Sequence, residues 1–144
     1  MPTVLAFDFG EKRIGVAVGE TLLAQAHPLT VIATGDRERR WQAIAALVAE
    51  WQPVRLVVGL PTHVDGTAHA MTERCRRFGD SLRRRHALPV DFADERLSSL
   101  DAQSRLRETG RNARSAKGVL DAVAAQLILQ TWFECHANDL SSPA

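Results

Sequence analysis

Apolar runs of five to nine residues alternate along the chain with longer amphipathic segments, which is the pattern of an α/β domain. The residues between the first two runs, Glu11, Lys12 and Arg13, indicate a tight connection between paired strands. Pro28 lacks a backbone donor, so it marks an edge or a bulge in the third run. The apolar runs predict five strands, at residues 3–9, 14–19, within 23–33, 56–60 and 89–94.

Amphipathic periodicity predicts four helices, at residues 36–51, 68–86, 98–110 and 115 to about 136. In the first helix one stripe includes Trp41, Ala45 and Trp51, and we expect both tryptophans in the core. Ser98 and Ser115 are the expected N-caps of the last two helices. The residues from Pro61 to Gly66 read as a loop.

The order of these elements predicts the topology. Strands that follow helical crossovers should be parallel, whereas the first three strands should form an antiparallel meander. The sequence therefore predicts a mixed five-stranded sheet with helices on both faces. We expect one domain over residues 1–137 and a flexible polar tail at 138–144.

Composition adds limits on location and partners. The 144 residues carry a net charge of +1, but basic residues cluster at 74–85 and 105–117. The first cluster is predicted to be a solvated helix face, with phosphate binding as the alternative. Two cysteines do not form a disulfide framework, and neither a signal segment nor a membrane-length apolar run appears. We therefore expect a cytoplasmic protein that does not enter a membrane.

Three acidic positions are candidates for chemistry. Asp8 lies within an apolar strand, where an unpartnered carboxylate is unfavourable, so it is predicted to be a metal or phosphate ligand. The alternative is an aspartate near a strand end that accepts hydrogen bonds from turn N–H groups. Asp94 ends the last predicted strand and Glu95 comes directly after it, and alternation alone does not choose between them. Asp121, among alanines and valines, either faces the sheet or serves as a favourable charge near a helix start.

Ligands of open α/β sheets gather at the carboxyl ends of parallel strands, so these carboxylates are expected to converge. Converging carboxylates repel one another, and a divalent cation such as Mg²⁺ or Mn²⁺ removes that repulsion. Such ions activate water for phosphodiester hydrolysis. The predicted phosphate contacts are Lys12, Arg13, Arg96, Arg114 and Lys117, together with the helix N-terminus at Ser115.

Four motifs spread over residues 3–135 resemble the YqgF/RuvX family. They are Asp8-Phe-Gly-x-Lys-x-Ile-Gly-Val-Ala, Val58-Gly-Leu-Pro with Asp65-Gly66, Asp94-Glu-Arg-Leu-Ser, and Lys117-Gly with Asp121-x-x-Ala-Ala. The resemblance implies an RNase H-like fold and a nuclease that processes pre-16S rRNA or resolves Holliday junctions. It also implies that Asp8, Glu95 and Asp121 form the acidic metal site, with Glu95 chosen over Asp94.

Two other functions are compatible with parts of the pattern. Asp8-Phe-Gly-x-x-x-x-Gly also resembles the phosphate loop of actin-like and sugar-kinase ATPases, but those enzymes close two domains over the nucleotide and this length supplies one. A non-catalytic nucleic-acid-binding module would use the basic clusters without needing three carboxylates. We predict a metal-dependent nuclease that binds precursor rRNA or branched DNA as a monomer or homodimer.

Overall fold

Five strands form a single mixed sheet in the order β3-β2-β1-β4-β5. The computed structural model describes residues 2–10, 12–33, 35–60, 69–94 and 113–135. Within these ranges the elements are β1 (Thr3–Phe9), β2 (Arg13–Glu20), β3 (Gln25–Ala33), α1 (Arg37–Trp51), β4 (Arg55–Leu60), α2 (His69–His86), β5 (Val90–Asp94) and α3 (Ala113–Cys135).

The pairing confirms the predicted topology. β1, β2 and β3 are antiparallel neighbours, and β4 and β5 continue the sheet in parallel with β1. β3 is an edge strand, and its register with β2 shifts between Val16 and Ala17, opposite Pro28 and Thr30. The irregularity predicted around Pro28 is therefore present. The five-stranded mixed sheet with helices on both faces is confirmed.

Two apolar cores lie on opposite faces of the sheet because strand side chains alternate. On one face, Leu5 and Phe7 of β1 pack with Ile44 of α1 and with Phe78 and Leu82 of α2. On the other face, a separate core joins the sheet to α3 alone among the described helices. Its largest members are Val4, Val57, Ile128, Leu129, Trp132 and Phe133.

α3 packs close to the backbone of β2 because the residues of β2 that face it are small. Gly15, Ala17 and Gly19 alternate along one face of β2. A Cβ atom at Gly19 would lie 2.7 Å from the Phe133 ring, and one at Gly15 would overlap the backbone carbonyl of Asp121. The absence of side chains at these two glycines is what lets the helix lie against the strand.

Glutamines of α3 also hold the edge strand. Gln126 Nε2 donates to the carbonyl oxygen of Ala26 at 3.0 Å, and Gln130 Nε2 donates to that of Ala24 at 3.0 Å. Gln130 Oε1 accepts from the Ala26 backbone N–H at 3.1 Å. These contacts satisfy backbone groups of β3 and of the turn before it, and they fix the position of α3 across the sheet.

Two details of the helices differ from expectation. Trp41 and Ile44 are buried, but Trp51 is 36% exposed and Ala45 is also exposed. The stripe is therefore narrower than predicted. Trp51 is the last residue of α1, and the chain turns away directly after it, where Gln52 adopts a left-handed conformation with φ 46°. α3 begins at Ala113, so Ser115 lies inside the helix and is not its N-cap.

Several predicted features lie outside the described residues. They are the loop at 61–66, the helix at 98–110 and the tail at 138–144. Within the described ranges, no helix is both long and apolar enough to cross a membrane.

Candidate active site

Asp8 lies at the carboxyl end of β1, on the face of the sheet that α3 covers. It shares this face with Val4 and Ala6, which pack against α3, because alternate residues of a strand point the same way. Its side chain is neither fully buried nor fully exposed. The strand therefore presents the carboxylate of Asp8 at the rim of the α3 core.

Asp121 reaches the same place from the helix. Asp8 pairs with Gly15 across the β1–β2 ladder, and the backbone of α3 touches Gly15 at Asp121. Asp121 lies one helical turn before Ala125, which is buried against the sheet. The structure thus brings the two carboxylates to one face and one end of the sheet, although 113 positions separate them in the sequence.

Arg13 is the side chain that sequence reasoning assigned differently. Its Nε donates to Asp121 Oδ2 at 2.7 Å, and the two side chains are 40% and 27% exposed. The sequence predicts a phosphate contact for Arg13, whereas here it orients a carboxylate. A charge-assisted hydrogen bond of this length holds the Asp121 side chain in one position and offsets its charge.

Glycine also shapes the neighbouring strand end. The parallel register aligns Ala6 with Val57 and Phe7 with Val58, so Asp8 is level with Gly59 of β4. Gly59 in turn pairs with Ala93 of β5, which packs on the α3 face. The position between Asp8 and β5 on this face therefore carries no side chain.

The remaining predicted site residues are placed only in part. Lys12 is exposed in the connection between β1 and β2, beside Arg13. Arg114 and Lys117 lie in the first two turns of α3, seven and four positions before Asp121. Glu95 and Arg96 lie outside the described residues. Among the residues that are described, no three acidic, histidine or cysteine side chains form a metal-binding group.

Comparison with solved structures defines the class of fold. The chain superposes on RuvC of Thermus thermophilus, solved in complex with a Holliday junction substrate, with a TM-score of 0.56 and 17% sequence identity over 95% of this chain and 96% of that one. RuvC has an RNase H-like fold, so the predicted fold class is confirmed.

The chain belongs to the RuvX family, whose model, described as "RuvX: Holliday junction resolvase", matches residues 2–135. A relative in Dechloromonas aromatica named "Putative pre-16S rRNA nuclease" is 71% identical over 93% of this chain and 92% of its own length. A relative of the same name in Methylobacillus flagellatus is 54% identical over 94% of this chain and 92% of its own. These matches confirm the predicted family and the predicted enzyme class, a nuclease.

Proposed function

We propose that this protein is a divalent-metal-dependent nuclease that hydrolyses phosphodiester bonds in the processing of the 5′ end of pre-16S rRNA. The observation that carries the proposal is the placement of Asp8 and Asp121 on one face and at one end of the sheet, since Gly15, the partner of Asp8 in the ladder, lies against the backbone of α3 at Asp121. The name shared by the relatives supports the choice of substrate. Such an enzyme would work in the cytoplasm, where precursor rRNA is found.

We infer that Glu95 supplies the third carboxylate. Ala93 packs on the α3 face of β5, level with the rim where Asp8 lies. Asp94 is the last residue of β5, so Glu95 comes directly after the strand in the sequence. The family resemblance favours Glu95 over Asp94.

The donor set fits Mg²⁺ or Mn²⁺. Asp8 and Asp121 offer carboxylate oxygens only, and hard divalent cations prefer oxygen ligands. A bound ion would activate water and stabilise the leaving oxygen of the cleaved bond. The protein's own part is to hold Asp8 rigidly on a strand and to keep Asp121 oriented through the 2.7 Å contact with Arg13.

Basic residues around this rim would bind the nucleic-acid backbone. Lys12 lies in the β1–β2 connection, and Arg114 and Lys117 are seven and four positions before Asp121 in α3. We assign phosphate contacts to these residues and to Arg96. Lysine and arginine side chains supply the electrostatic part of nucleic-acid affinity.

The decisive test is cleavage of a precursor 16S 5′ end by Asp8→Asn. This substitution keeps the shape of the side chain but removes a charged ligand, and we expect the rate to fall by at least ~10²-fold. Asp80→Asn is the matched control, because Asp80 is an exposed residue of α2 whose carboxylate contacts Arg83 at 2.9 Å. Equal rates for wild type and Asp8→Asn, or full activity in EDTA, would contradict the proposal.

A second candidate is resolution of Holliday junctions, which the description of the family model names. Two symmetric cuts in a four-way junction require two active sites and hence a homodimer, whereas trimming one rRNA end requires a single site. The same assay should therefore include a four-way DNA junction and a measurement of mass in solution. Paired cuts by a dimer would favour the resolvase, and rRNA cleavage by a monomer would favour the first proposal.

A further inference from the structure

A concave surface rich in arginine lies on the face of the sheet opposite Asp8 and Asp121. Helices α1 and α2 form its walls and enclose a cavity of about 280 Å³. Two members of the predicted basic cluster at 74–85 line this cavity together with two arginines of α1. These four residues, which we call the arginine cleft, are Arg37, Arg40, Arg74 and Arg77.

The floor of the arginine cleft is a row of aromatic rings. Phe78 of α2 stacks on Phe9 with ring centres 4.7 Å apart and on Trp41 with ring centres 5.6 Å apart. The Arg40 guanidinium lies 5.8 Å from the centre of the Phe9 ring and 5.4 Å from that of Trp41. Such cation–π contacts fix a guanidinium in place, so the cleft holds its charge in a defined position.

The cations of this surface are close enough to disfavour one another. Partial burial, followed by the neighbouring charges of Arg37 and Arg85, lowers the pKa of Arg40. Arg85 lies over Trp41 at 4.1 Å, beside the cleft. Glu38 lines the adjoining space with Arg37 and Arg85, yet no carboxylate lines the cleft itself among the described residues.

Some arginine donors of the cleft also have no partner among the described residues. Arg40 Nε is buried and has no acceptor among the described residues. Neither Arg37 nor Arg77, both exposed, forms an ion pair with a described carboxylate. An anion with several oxygens, such as a phosphate group, would satisfy these donors and relieve the repulsion between the cations.

The cleft lies next to the candidate active site along the chain. Phe9 in its floor follows Asp8 directly in β1, and successive strand residues point to opposite faces. Both surfaces therefore open at the same carboxyl end of the sheet, one on each side. A strand of nucleic acid held near Asp8 can cross this edge and continue over the cleft.

We propose that the arginine cleft binds phosphates of the nucleic-acid substrate that flank the cleavage point, as a second anchoring site on the opposite face of the sheet from Asp8 and Asp121. This inference rests on the proposed nuclease function, because the ligand is the same strand that the carboxylates cut. It predicts that affinity depends on strand length. A strand of about 20 nucleotides reaches both surfaces, whereas one of about 4 nucleotides occupies only one of them.

The test compares two double variants with the same change in charge. Arg37→Ala/Arg77→Ala removes two exposed arginines of the cleft, one from each helix. Arg39→Ala/Arg83→Ala is the control, since these arginines stand on the same helices but contact Asp36 and Asp80 at 3.9 and 2.9 Å. Thermal melting verifies that both proteins fold.

Binding is measured by fluorescence anisotropy with single-stranded RNA in EDTA, over a series of salt concentrations. For the long RNA we expect the slope of log affinity against log salt to fall by about 0.7 for each phosphate that is no longer bound, hence by about 1.4 in the cleft variant. The control should change by less than half as much, and the short RNA should bind equally to both variants.

Equal slopes for the two double variants would overturn the proposal. Binding of a mononucleotide is measured in the same way. If the cleft variant lost affinity for the mononucleotide but bound the long RNA as the control does, the proposal would also be overturned, because the cleft would then hold a free nucleotide. Neither outcome bears on the nuclease proposal, which is tested by comparing the cleavage rates of wild type and Asp8→Asn. Conversely, the wild-type protein could bind long RNA through the cleft and yet show no nuclease activity. That result would support the anchoring role of the cleft and contradict the proposed reaction.

Discussion

Gly15 is the residue on which the geometry of the candidate site depends most directly. A methyl group at this position would overlap the backbone of α3 at Asp121, which no side-chain rotation relieves. We expect Gly15→Ala to lower the free energy of unfolding by about 1–3 kcal/mol or more, since the helix must move away from β2. Urea denaturation measures this decrease.

Gly35→Ala is the control for that substitution, because no heavy atom lies within 4 Å of the position where its Cβ would stand. Its expected effect is small, and a modest gain in stability is in keeping with the lower entropy of the unfolded chain. If the two variants unfolded at the same urea concentration, the close approach of α3 to β2 would be wrong.

The sequence predicts the role of a single residue best where the neighbouring residues alone determine its position. A carboxylate inside an apolar strand is conspicuous, so Asp8 is identified from its neighbours alone. The pairing of Arg13 with Asp121 escapes sequence reasoning because the partners are 108 positions apart, and only the docking of α3 decides which cation meets which carboxylate. Glu95 as the third carboxylate stays a prediction.

At the scale of elements, His86 at the end of α2 should make the stability of the fold depend on pH. Partial burial and the adjacent Arg85 lower the pKa of His86 below its ordinary value of 6.5. The unfolded chain therefore binds more protons than the folded one just below that value, and stability should fall as pH drops through it. We expect the wild-type melting temperature to fall more between about pH 7.5 and about pH 5.5 than that of His86→Gln.

His27→Gln provides the comparison, because His27 is an exposed residue of the edge strand. This variant controls for the loss of one imidazole at an exposed position, and the pH response of His86→Gln is measured relative to it. A wild-type curve that matched His86→Gln at every pH would mean that protonation of His86 does not oppose folding.

Element boundaries follow from sequence more reliably than burial does. Every predicted strand is present within two residues of its expected bounds. The failure at Trp51 has a simple cause: helical periodicity identifies a stripe but not the point where the partner surface ends. Serine favours N-caps, which places the predicted start of α3 at Ser115, yet the helix begins two residues earlier, at Ala113.

Metal binding by the whole molecule should appear as a change in stability. An ion that binds only the folded state stabilises it by about 2.7 kcal/mol when its concentration is a hundred times Kd. We expect Mn²⁺ to raise the melting temperature of wild type by several degrees and that of Asp8→Asn much less. Melting curves of wild type and Asp8→Asn, each recorded with Mn²⁺ and with EDTA at one pH and protein concentration, measure how much the ion stabilises each protein.

Asp80→Asn should respond to Mn²⁺ as wild type does, which separates removal of a ligand from removal of one negative charge. If Asp8→Asn gained as much as wild type, the shared metal site would be disproved. If Asp8→Asn were much less stable than wild type in EDTA, Asp8 would be a structural hydrogen-bond acceptor.

Topology is the part of the whole molecule most open to prediction. The order of strands and helices, with the known preference for parallel pairing across helical crossovers, leads to the observed sheet. The arginine cleft is not foreseeable as a unit. Its four arginines come from two helices that are distant in sequence, and the basic run at 74–85 taken alone indicates an ordinary solvated surface.

The docking of α3 across the sheet has a consequence for the protein's own synthesis. β1 leaves the ribosome early, but Asp121 and the contact with Gly15 exist only when more than four-fifths of the chain has been translated. Domains generally fold as units while they emerge. If Asp8 and Asp121 act together as proposed, a nascent chain that stalls before α3 has emerged carries Asp8 without its partner carboxylate, and we expect it to lack nuclease activity.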